Sequence, residues 1–324
     1  MKLSVLVPTY RRHADLIHCL SALAVQKRPA DEVILVVRDD DKETSSVIAD
    51  WETRLSIIAV KVDVAGQVNA LNTGLGALSG DIVAITDDDA APRFDWLERI
   101  ERHFIGNAKL GGVGGRDWLH DNGSLMDGSA TLVGTIQWFG RAVGNHHLGI
   151  GSAREVDFLK GANMSYRVRS LDGVRFCKDL RGLGAQVCND MAFSLAVKRN
   201  GWHLLYDPAV AVDHYPAPRH EGDQRAVFHP QAVEDTAFNQ YLSFLQFAPP
   251  SWRRKMALLW QDAIGTKGQP GFVHAIAGVL SNDSHSIARW KCAKRGRAAA
   301  RTVARQSEAN ATQSHSISNQ EHSH

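Results

Sequence analysis

The stretch GDIVAITDDDAAP at residues 80–92 carries the strongest structural and chemical signal in this chain. Residues 81–86 form an apolar run that predicts a buried strand, and Asp87, Asp88 and Asp89 follow it without a break. Adjacent carboxylates repel one another and gain nothing in a folded core, so they need a compensating positive charge. Mg²⁺ and Mn²⁺ take oxygen ligands and commonly bridge a carboxylate to substrate phosphates. We therefore expect a metal site here, with a solvated acidic turn as the alternative.

Outward from this stretch, short apolar strands alternate with helices through the first third of the chain. The predicted strands are 3–7, 32–37, 55–62 and 81–86, and the predicted helices are 13–26, 43–51, 67–78 and 94–104. This alternation predicts an α/β fold, with a Rossmann-like parallel sheet and helices on both faces. Ligands of such sheets bind at the carboxyl ends of the strands, which here carry polar residues at 8–12, 38–41 and 87–89. The layout is typical of a nucleotide site.

The rest of the chain is less regular, and residues 111–153 are rich in glycine. The predicted elements are a strand near 131–139, a helix at 190–200 and closing strands at 203–206 and 209–212. Past about residue 225 the pattern becomes helical. The predicted divisions are a sheet domain at 1–224, a C-terminal helical extension at 225–305 and a tail at 306–324, whose Ser, Asn, Gln and His content predicts disorder.

Composition places the chain among ordinary globular proteins. Of its 324 residues, 44% are hydrophobic, and the formal net charge is +2. The cysteines are scattered, at positions 19, 177, 188 and 292, which indicates a reducing compartment. The N-terminal apolar run ends at Pro8, too early for a signal peptide, and no uncharged apolar stretch approaches the roughly 18 residues that span a bilayer. We expect a cytoplasmic protein.

Two C-terminal features suit peripheral contact with the inner face of the plasma membrane. Residues 289–305 hold seven Lys or Arg and no acid, a run that could face an anionic membrane or simply be solvated. Trp252, Met256 and Trp260 form a helical apolar stripe beside the basic residues 253–255, which suits an interfacial helix or packing on the sheet domain. The basic residues do not belong to a recognisable nucleic-acid-binding module, so we expect no nucleic-acid partner.

Five stretches together resemble the family 2 glycosyltransferases, which have the GT-A fold. They are LSVLVPTYRR at 3–12, EVILVVRDDD at 32–41, GDIVAITDDDAAP at 80–92, LKGANMSYR at 159–167 and NDMAFSLAVKRNGW at 189–202. Their order and spacing are similar to the family's. The resemblance implies an inverting enzyme, dependent on Mn²⁺ or Mg²⁺, that moves a sugar from a nucleotide diphosphate, UDP by default, to an acceptor hydroxyl. The implied acceptor is a saccharide or lipid-linked saccharide of cell-envelope or exopolysaccharide synthesis.

The resemblance also implies roles on the donor side. The implied donor-binding residues are Pro8, Thr9, Tyr10 and Arg12 after the first strand, Asp39 or Asp40 after the second, Asn72 within 67–72, and Arg219 near the diphosphate. The family usually has a Gly- or Ser-containing turn where this chain has acids at 39–41. Its DXD motif maps onto Asp87, as a ribose or metal ligand, and onto Asp89, as a metal ligand, with Asp88 between them on the donor side. His214 would complete the metal site, although a lone histidine is as often structural.

On the acceptor side, the resemblance makes Asp190 the base that deprotonates the acceptor hydroxyl. The family has a Glu-Asp pair at the start of this helix, and Asn189 stands here in place of the Glu. A helix N-terminus favours a carboxylate, so a plain helix cap is the alternative for Asp190. Gly161, Ala162 and Asn163 resemble the acceptor-side loop, where small residues let substrate approach the backbone; a plain turn is the alternative.

Two other functions are alternatives to that of a glycosyltransferase. A nucleotidyltransferase usually opens with a Gly-rich phosphate loop, and PTYRR at 8–12 has no glycine. A catalytically degenerate GT-A scaffold or carbohydrate-binding subunit would account for Asn189 and needs no turnover.

Overall fold

A central sheet with helices on both faces organises the protein, seen in a computed structural model that describes residues 1–121, 123–182, 184, 186–216 and 228–321. The strands are β1 (Leu3–Thr9), β2 (Glu32–Arg38), β3 (Ile57–Val62), β4 (Ile82–Ile85), β5 (Ala90–Pro92), β6 (Leu110–Asp121), β7 (Ser124–Leu125), β8 (Thr135–Ile136), β9 (Ala142–Val143), β10 (Arg154–Val156), β11 (Met164–Arg167) and β12 (His203–His214). The helices are α1 (His13–Ala24), α2 (Lys42–Trp51), α3 (Gln67–Gly76), α4 (Trp96–Phe104), α5 (Asn189–Arg199), α6 (Pro230–Gln246), α7 (Trp252–Ala263), α8 (Phe272–Leu280) and α9 (Ser286–Glu321).

The sheet is parallel in its first half and mixed in its second. Strands β3, β2, β1 and β4 lie side by side and parallel, as the alternation of strands and helices predicts. The next strand, β11, runs antiparallel to both β4 and β6. The parallel arrangement inferred from the first third of the chain therefore applies to β3, β2, β1 and β4, and it does not extend to this half. No helical crossover directly precedes β11, and a strand reached without one is free to run antiparallel.

The glycines of β6 explain why this strand was not predicted from the sequence. Its sequence opens with LGGVGG, which has a single β-branched residue, Val113, and lacks the alternation of an ordinary strand. In the structure β6 is nevertheless central, between β11 and β12. A side chain at Gly115 would collide with the Val210 carbonyl of β12, so glycine is what permits this close pairing. The two predicted closing strands are one strand, β12, with a register shift between Asp207 and Ala211, and the strand predicted near 131–139 is reduced to the short β8.

Apolar side chains from both faces of the sheet form the core. On one face, Leu16 of α1, Ile48 of α2 and Ile100 of α4 pack against the strands. On the other, Leu71 of α3 and Phe193 of α5 do so. Because β1, β2 and β4 are parallel, their carboxyl ends meet at one edge of the sheet, where the polar segments that follow them come together.

The C-terminal helices pack on this α/β body. Phe238 and Leu242 of α6 are buried with Ala300 of α9, and Gly296 lets α9 approach the α6 backbone at Glu234. In α7, Trp260 is 8% exposed and packs inward, whereas Trp252 is 60% exposed. The stripe predicted on this helix therefore splits between a packed and an exposed part.

The last helix, α9, continues to Glu321 and so enters the tail for which composition predicts disorder. Its residues 305–310 are all exposed. A helix that buries no face is marginal in water, so disorder beyond residue 306, like the division at 224/225, stays a prediction. Among the described helices, none combines the length and the apolar character that crossing a bilayer requires.

Candidate active site

Asp87, Asp89 and His214 form a compact cluster at the strand-end edge of the sheet. Each can offer one ligand atom such that these atoms all lie within 4.8 Å of one another. Local pairing explains their meeting, because β5 follows the aspartates and pairs antiparallel with β12, aligning Ala90 with His214. The Nε2 atom of His214 lies 3.3 Å from Oδ1 of Asp89. Two carboxylates and an imidazole at this spacing suit a divalent cation such as Mn²⁺.

The electrostatics of the cluster favour binding of a cation. Burial and the neighbouring Asp89 carboxylate raise the pKa of Asp87 to about 7. Burial also lowers the pKa of His214, but the hydrogen bond to Asp89 and the charge of that carboxylate outweigh it and raise the pKa. The buried Nδ1 of His214 has no hydrogen-bond partner among the described residues. A cation would stabilise the charged carboxylates that burial disfavours.

Arg12 and Asp88 face each other beside this cluster. The Nη1 atom of Arg12 lies 3.1 Å from Oδ1 of Asp88 and 3.3 Å from Oδ2 of Asp89. Burial raises the pKa of Asp88 to about 6, against the opposing charge of Arg12. Asp88 is 3% exposed and forms the shorter contact with Arg12, whereas Asp89 contacts both Arg12 and His214. The middle acid of the triplet thus holds Arg12 in place next to the candidate metal ligands.

A chain of side-chain amides connects the metal cluster to the candidate base. The Nε2 atom of Gln67 donates to Asp87 Oδ1 at 3.3 Å, and Nδ2 of Asn189 donates to Gln67 Oε1 at 3.2 Å. Asp190 is the next residue, in the first turn of α5. Its Oδ2 accepts a hydrogen bond from the Gly161 amide at 3.1 Å, and its Oδ1 accepts one from the Met191 amide at 2.7 Å. Gln67 was predicted only as part of the stretch 67–72, and it is the residue that joins the two halves of the site.

Two residues predicted to contact substrates form hydrogen bonds within the protein instead. Asn163 is 1% exposed; its Oδ1 accepts from Trp96 Nε1 at 2.9 Å, and its Nδ2 donates to the Val210 carbonyl at 2.8 Å. Asn72 donates to the Phe176 carbonyl and accepts from the Phe176 amide, both at 2.9 Å. Side chains so engaged are not directed at a ligand. The other members of the acceptor-side loop differ: Gly161 supports Asp190 through its amide, and Ala162 takes the left-handed conformation at φ 73°.

A second polar edge lies at the ends of β1 and β2. The Tyr10 hydroxyl donates to Asp40 Oδ2 at 3.1 Å, and the guanidinium groups of Arg11 and Arg38 lie 5.0 and 5.1 Å from the centre of its ring. Asp39 is exposed. Pro8 and Thr9 end β1 at the same edge. This edge, with an exposed aromatic ring and exposed carboxylates, can contact a base and a ribose. Arg219 lies outside the described residues.

Asp41, the last of the three acids that follow β2, has a structural role. It is 3% exposed and accepts hydrogen bonds from the amides of Thr44 at 3.2 Å and Arg11 at 2.6 Å. It therefore caps α2 and fixes the loop after β1. The spacing Asp-x-x-Thr at 41–44 is a recognisable cap signal that could have identified this role.

The sequence offered no signal for an ion pair beside the site. Asp117 of β6 is fully buried, and its Oδ2 lies 2.9 Å from Nζ of Lys160, the residue before Gly161. The charge of Asp117 acts on both Asp87 and His214, raising the pKa of each. Asp117 lies in the glycine-rich segment whose strand was not predicted, so nothing placed it near the metal cluster.

Known proteins with the same fold bind nucleotide sugars. The mannosyltransferase PcManGT from Pyrobaculum calidifontis, solved with GDP-Man and Mn²⁺, superimposes with a TM-score of 0.53 at 18% identity, over 94% of this chain and 85% of that one. S. aureus TarS 1–349, solved with UDP, gives a TM-score of 0.55 at 17% identity, over 80% of this chain and 70% of that one. At these identities the likeness establishes the GT-A fold alone.

Sequence comparison identifies the family. The chain is 30% identical over 100 residues to the glycosyltransferase AglE of Haloferax volcanii, a match that covers 30% of this chain and 33% of AglE. Matches to the curated relatives span between 28% and 40% of their length. The family model described as "Glycosyltransferase like family 2" matches residues 2–228, the whole of the sheet and the site. The chain therefore belongs to glycosyltransferase-like family 2.

Proposed function

We propose that the protein is a metal-dependent, inverting glycosyltransferase that moves a sugar from a nucleotide diphosphate donor to an acceptor hydroxyl. The observation that carries the proposal is the convergence of Asp87, Asp89 and His214 within 4.8 Å of one another. The amides of Gln67 and Asn189 connect that cluster to the helix turn that holds Asp190. A cation site next to a positioned carboxylate is what transfer from a diphosphate to a hydroxyl requires.

The donor lies across the strand-end edge in this proposal. Tyr10 and the exposed Asp39 and Asp40 contact the base and ribose, and the diphosphate reaches the metal cluster. Arg12, held by Asp88, contributes a positive charge beside the same cluster. UDP is the carrier we assign, and TarS, named with UDP, and PcManGT, named with GDP-Man, support a nucleotide-sugar donor in general.

The metal ligands are Asp87, Asp89 and His214, and the set favours Mn²⁺ over Mg²⁺ because imidazole suits a transition metal better than the strictly oxygen-loving Mg²⁺. When bound, the cation acts as a Lewis acid that stabilises negative charge on the departing diphosphate. Asp117 adds negative charge near these ligands, and Lys160, 2.9 Å from Asp117, offsets part of that charge.

Asp190 is the base that this site provides. Two backbone amides fix its carboxylate in the first turn of α5. In the proposed step the acceptor O–H proton passes to Asp190, and the acceptor oxygen forms a bond to the anomeric carbon. The bond from that carbon to the diphosphate oxygen breaks, and its electron pair leaves with the diphosphate. Attack opposite the leaving group inverts the anomeric centre.

The acceptor we assign is a saccharide or lipid-linked saccharide of cell-envelope or exopolysaccharide synthesis, and the place of action is the cytoplasm. Of the small residues of the acceptor-side loop, Gly161 is half-buried beside Asp190, whereas Ala162 is fully buried. Asn189 contributes through Gln67 rather than through a charge of its own.

Asn189 also favours one alternative, a donor-binding scaffold that does not turn over. The two functions differ in what the unmutated protein does with a bound donor. A scaffold would bind a nucleotide sugar tightly and neither hydrolyse nor transfer it.

The test is a calorimetric titration of the full chain with a panel of nucleotide sugars, with and without Mn²⁺, followed by a transfer and hydrolysis assay. Asp89→Asn should lose the Mn²⁺-dependent part of donor affinity. Asp190→Asn should keep donor affinity and lose turnover by about 100- to 10,000-fold. Asp50→Asn, an exposed acid of α2, is the matched control and should change neither. Donor affinity without any divalent-ion dependence, or full turnover by Asp190→Asn, would refute the proposal.

A further inference from the structure

In helix α8 the small residues pack against the protein, and the large apolar residues are exposed. Its packed side consists of small residues: Ala275 is 4% exposed, and a side chain at Gly278 would collide with Ser286 of α9. The Ser286 hydroxyl donates to the Ala275 carbonyl at 2.9 Å and ties the two helices together there. Small residues therefore make the closest contact of α8 with α9, although large apolar residues usually form the packed face of a helix.

Those large residues form an exposed apolar face instead. Phe272 is 60% exposed, Ile276 45%, Val279 49% and Leu280 80%, at the i, i+4, i+7, i+8 spacing of one helical face. Ile287 and Trp290 of α9 continue this face, which we call the α8 face, and complete the lining of a shallow cavity of about 190 Å³. The helix contains no Asp, Glu, Lys or Arg. Contiguous apolar patches of this kind mark interaction sites.

Positive charge borders the α8 face. Lys291 and Lys294 follow Ile287 and Trp290 at helical spacing, and both lysines are exposed. The Nζ atom of Lys294 lies 5.2 Å from the centre of the Trp290 ring. Within the described part of the chain, neither lysine forms an ion pair with an acidic residue. An apolar face with a tryptophan and lysines at its border has the composition of a helix that lies in a membrane interface.

Other occupants fit this face less well. The tail at 306–324 contains a single large apolar residue, Ile317, and so cannot cover it. A second copy would bring lysines against lysines. The nine residues of α8 span only about 13 Å, which is short against the roughly 800 Å² per partner of a stable interface.

We infer that the α8 face inserts into the headgroup region of a bilayer that contains anionic lipid, with Lys291 and Lys294 contacting the lipid phosphates. Helix α8 then lies along the surface, with Phe272, Ile276 and Leu280 in contact with acyl chains. This attachment involves none of the donor-site residues, so vesicle binding and donor binding can succeed or fail independently.

The test is co-sedimentation of the full chain with vesicles of phosphatidylcholine alone, or of phosphatidylcholine with about one third phosphatidylglycerol. The protein should partition at least tenfold more strongly onto the anionic vesicles, since each lysine near such a surface is worth about fivefold. The double variant Ile276→Asp/Leu280→Asp should bind anionic vesicles at least tenfold more weakly. The double variant Lys291→Gln/Lys294→Gln should reduce the difference between binding to anionic vesicles and binding to neutral vesicles. Ile105→Asp, at an apolar residue that is 65% exposed elsewhere, is the matched control and should bind like the unmutated protein.

Circular dichroism melting and donor titration of each variant check that the fold and the donor site are intact. Equal binding of the unmutated protein and the Ile276→Asp/Leu280→Asp variant would overturn the inference, as would no binding to either vesicle. Sedimentation velocity tests whether a second copy of the chain covers the α8 face instead. A dimer that dissociates in the Ile276→Asp/Leu280→Asp variant would identify this face as a contact between copies and refute lipid binding.

Discussion

Replacing Asn163 by alanine separates a structural role from an acceptor-binding role. The change removes three hydrogen bonds of a side chain that is 1% exposed, namely those with Trp96 Nε1 and with the carbonyls of Arg116 and Val210. Each buried polar group left without a partner costs about 1–3 kcal/mol. Since such costs are not fully additive, we expect a loss of about 3–5 kcal/mol in the free energy of unfolding.

The assay is urea unfolding followed by circular dichroism, with Asn69→Ala as the control. Asn69 donates one hydrogen bond to the Ala65 carbonyl at an exposed position, so its loss should cost less than about 0.5 kcal/mol. If the proposed transferase activity is present, the acceptor KM of folded Asn163→Ala should stay within about twofold of that of the unmutated protein, because the side chain is not directed at the site. Unchanged stability together with a raised acceptor KM would refute the structural role and restore the acceptor contact that the family resemblance implies.

Three further outcomes are expected. Asn72→Ala, which loses both hydrogen bonds to the Phe176 backbone, should destabilise the protein by about 2 kcal/mol and leave donor affinity unchanged, as urea unfolding and calorimetry can measure. Burial would raise the pKa of Glu32, but hydrogen bonds from Ser4, Ser79 and Lys2 lower it to about 2. That carboxylate therefore stabilises the fold fully above pH 4.5, by about 3 kcal/mol, and the effect is lost as the pH falls towards 2. The stability difference between the unmutated protein and Glu32→Gln should accordingly shrink to less than half between pH 7 and about pH 3; a difference that does not change with pH would contradict this. His214→Ala should weaken Mn²⁺ binding at least tenfold in a calorimetric titration, and an unchanged affinity would remove His214 from the metal site.

The parallel half of the sheet and its polar edge were predictable because each depends on local pattern. Apolar runs at 3–7, 32–37 and 81–86 end in polar residues, and parallel strands bring those ends together by geometry alone. The structure places Asp87 and Asp89 with His214 at that edge, as the motif resemblance implies. These predictions needed no knowledge of which side chain contacts which.

The mixed half of the sheet was not predictable, because its strands are defined by partners far away in the chain. The glycine-rich segment forms strand β6 because β12 pairs closely with it, and that close pairing requires residues without side chains. Asp117 then lies beside the metal cluster through a pairing across some ninety residues, which no local pattern encodes.

Sequence alone thus determined the α/β class, the strand-end site and the residue types gathered there, since periodicity and turn chemistry are local properties. Tertiary structure alone decided what each polar or apolar side chain does. It directed Asn163 and Asn72 to hydrogen-bond partners inside the protein and Asp88 towards Arg12, and it left the large residues of α8 exposed. The physical reason is that a side chain's partner is set by whatever distant segment folds against it, and a one-dimensional pattern does not contain that segment.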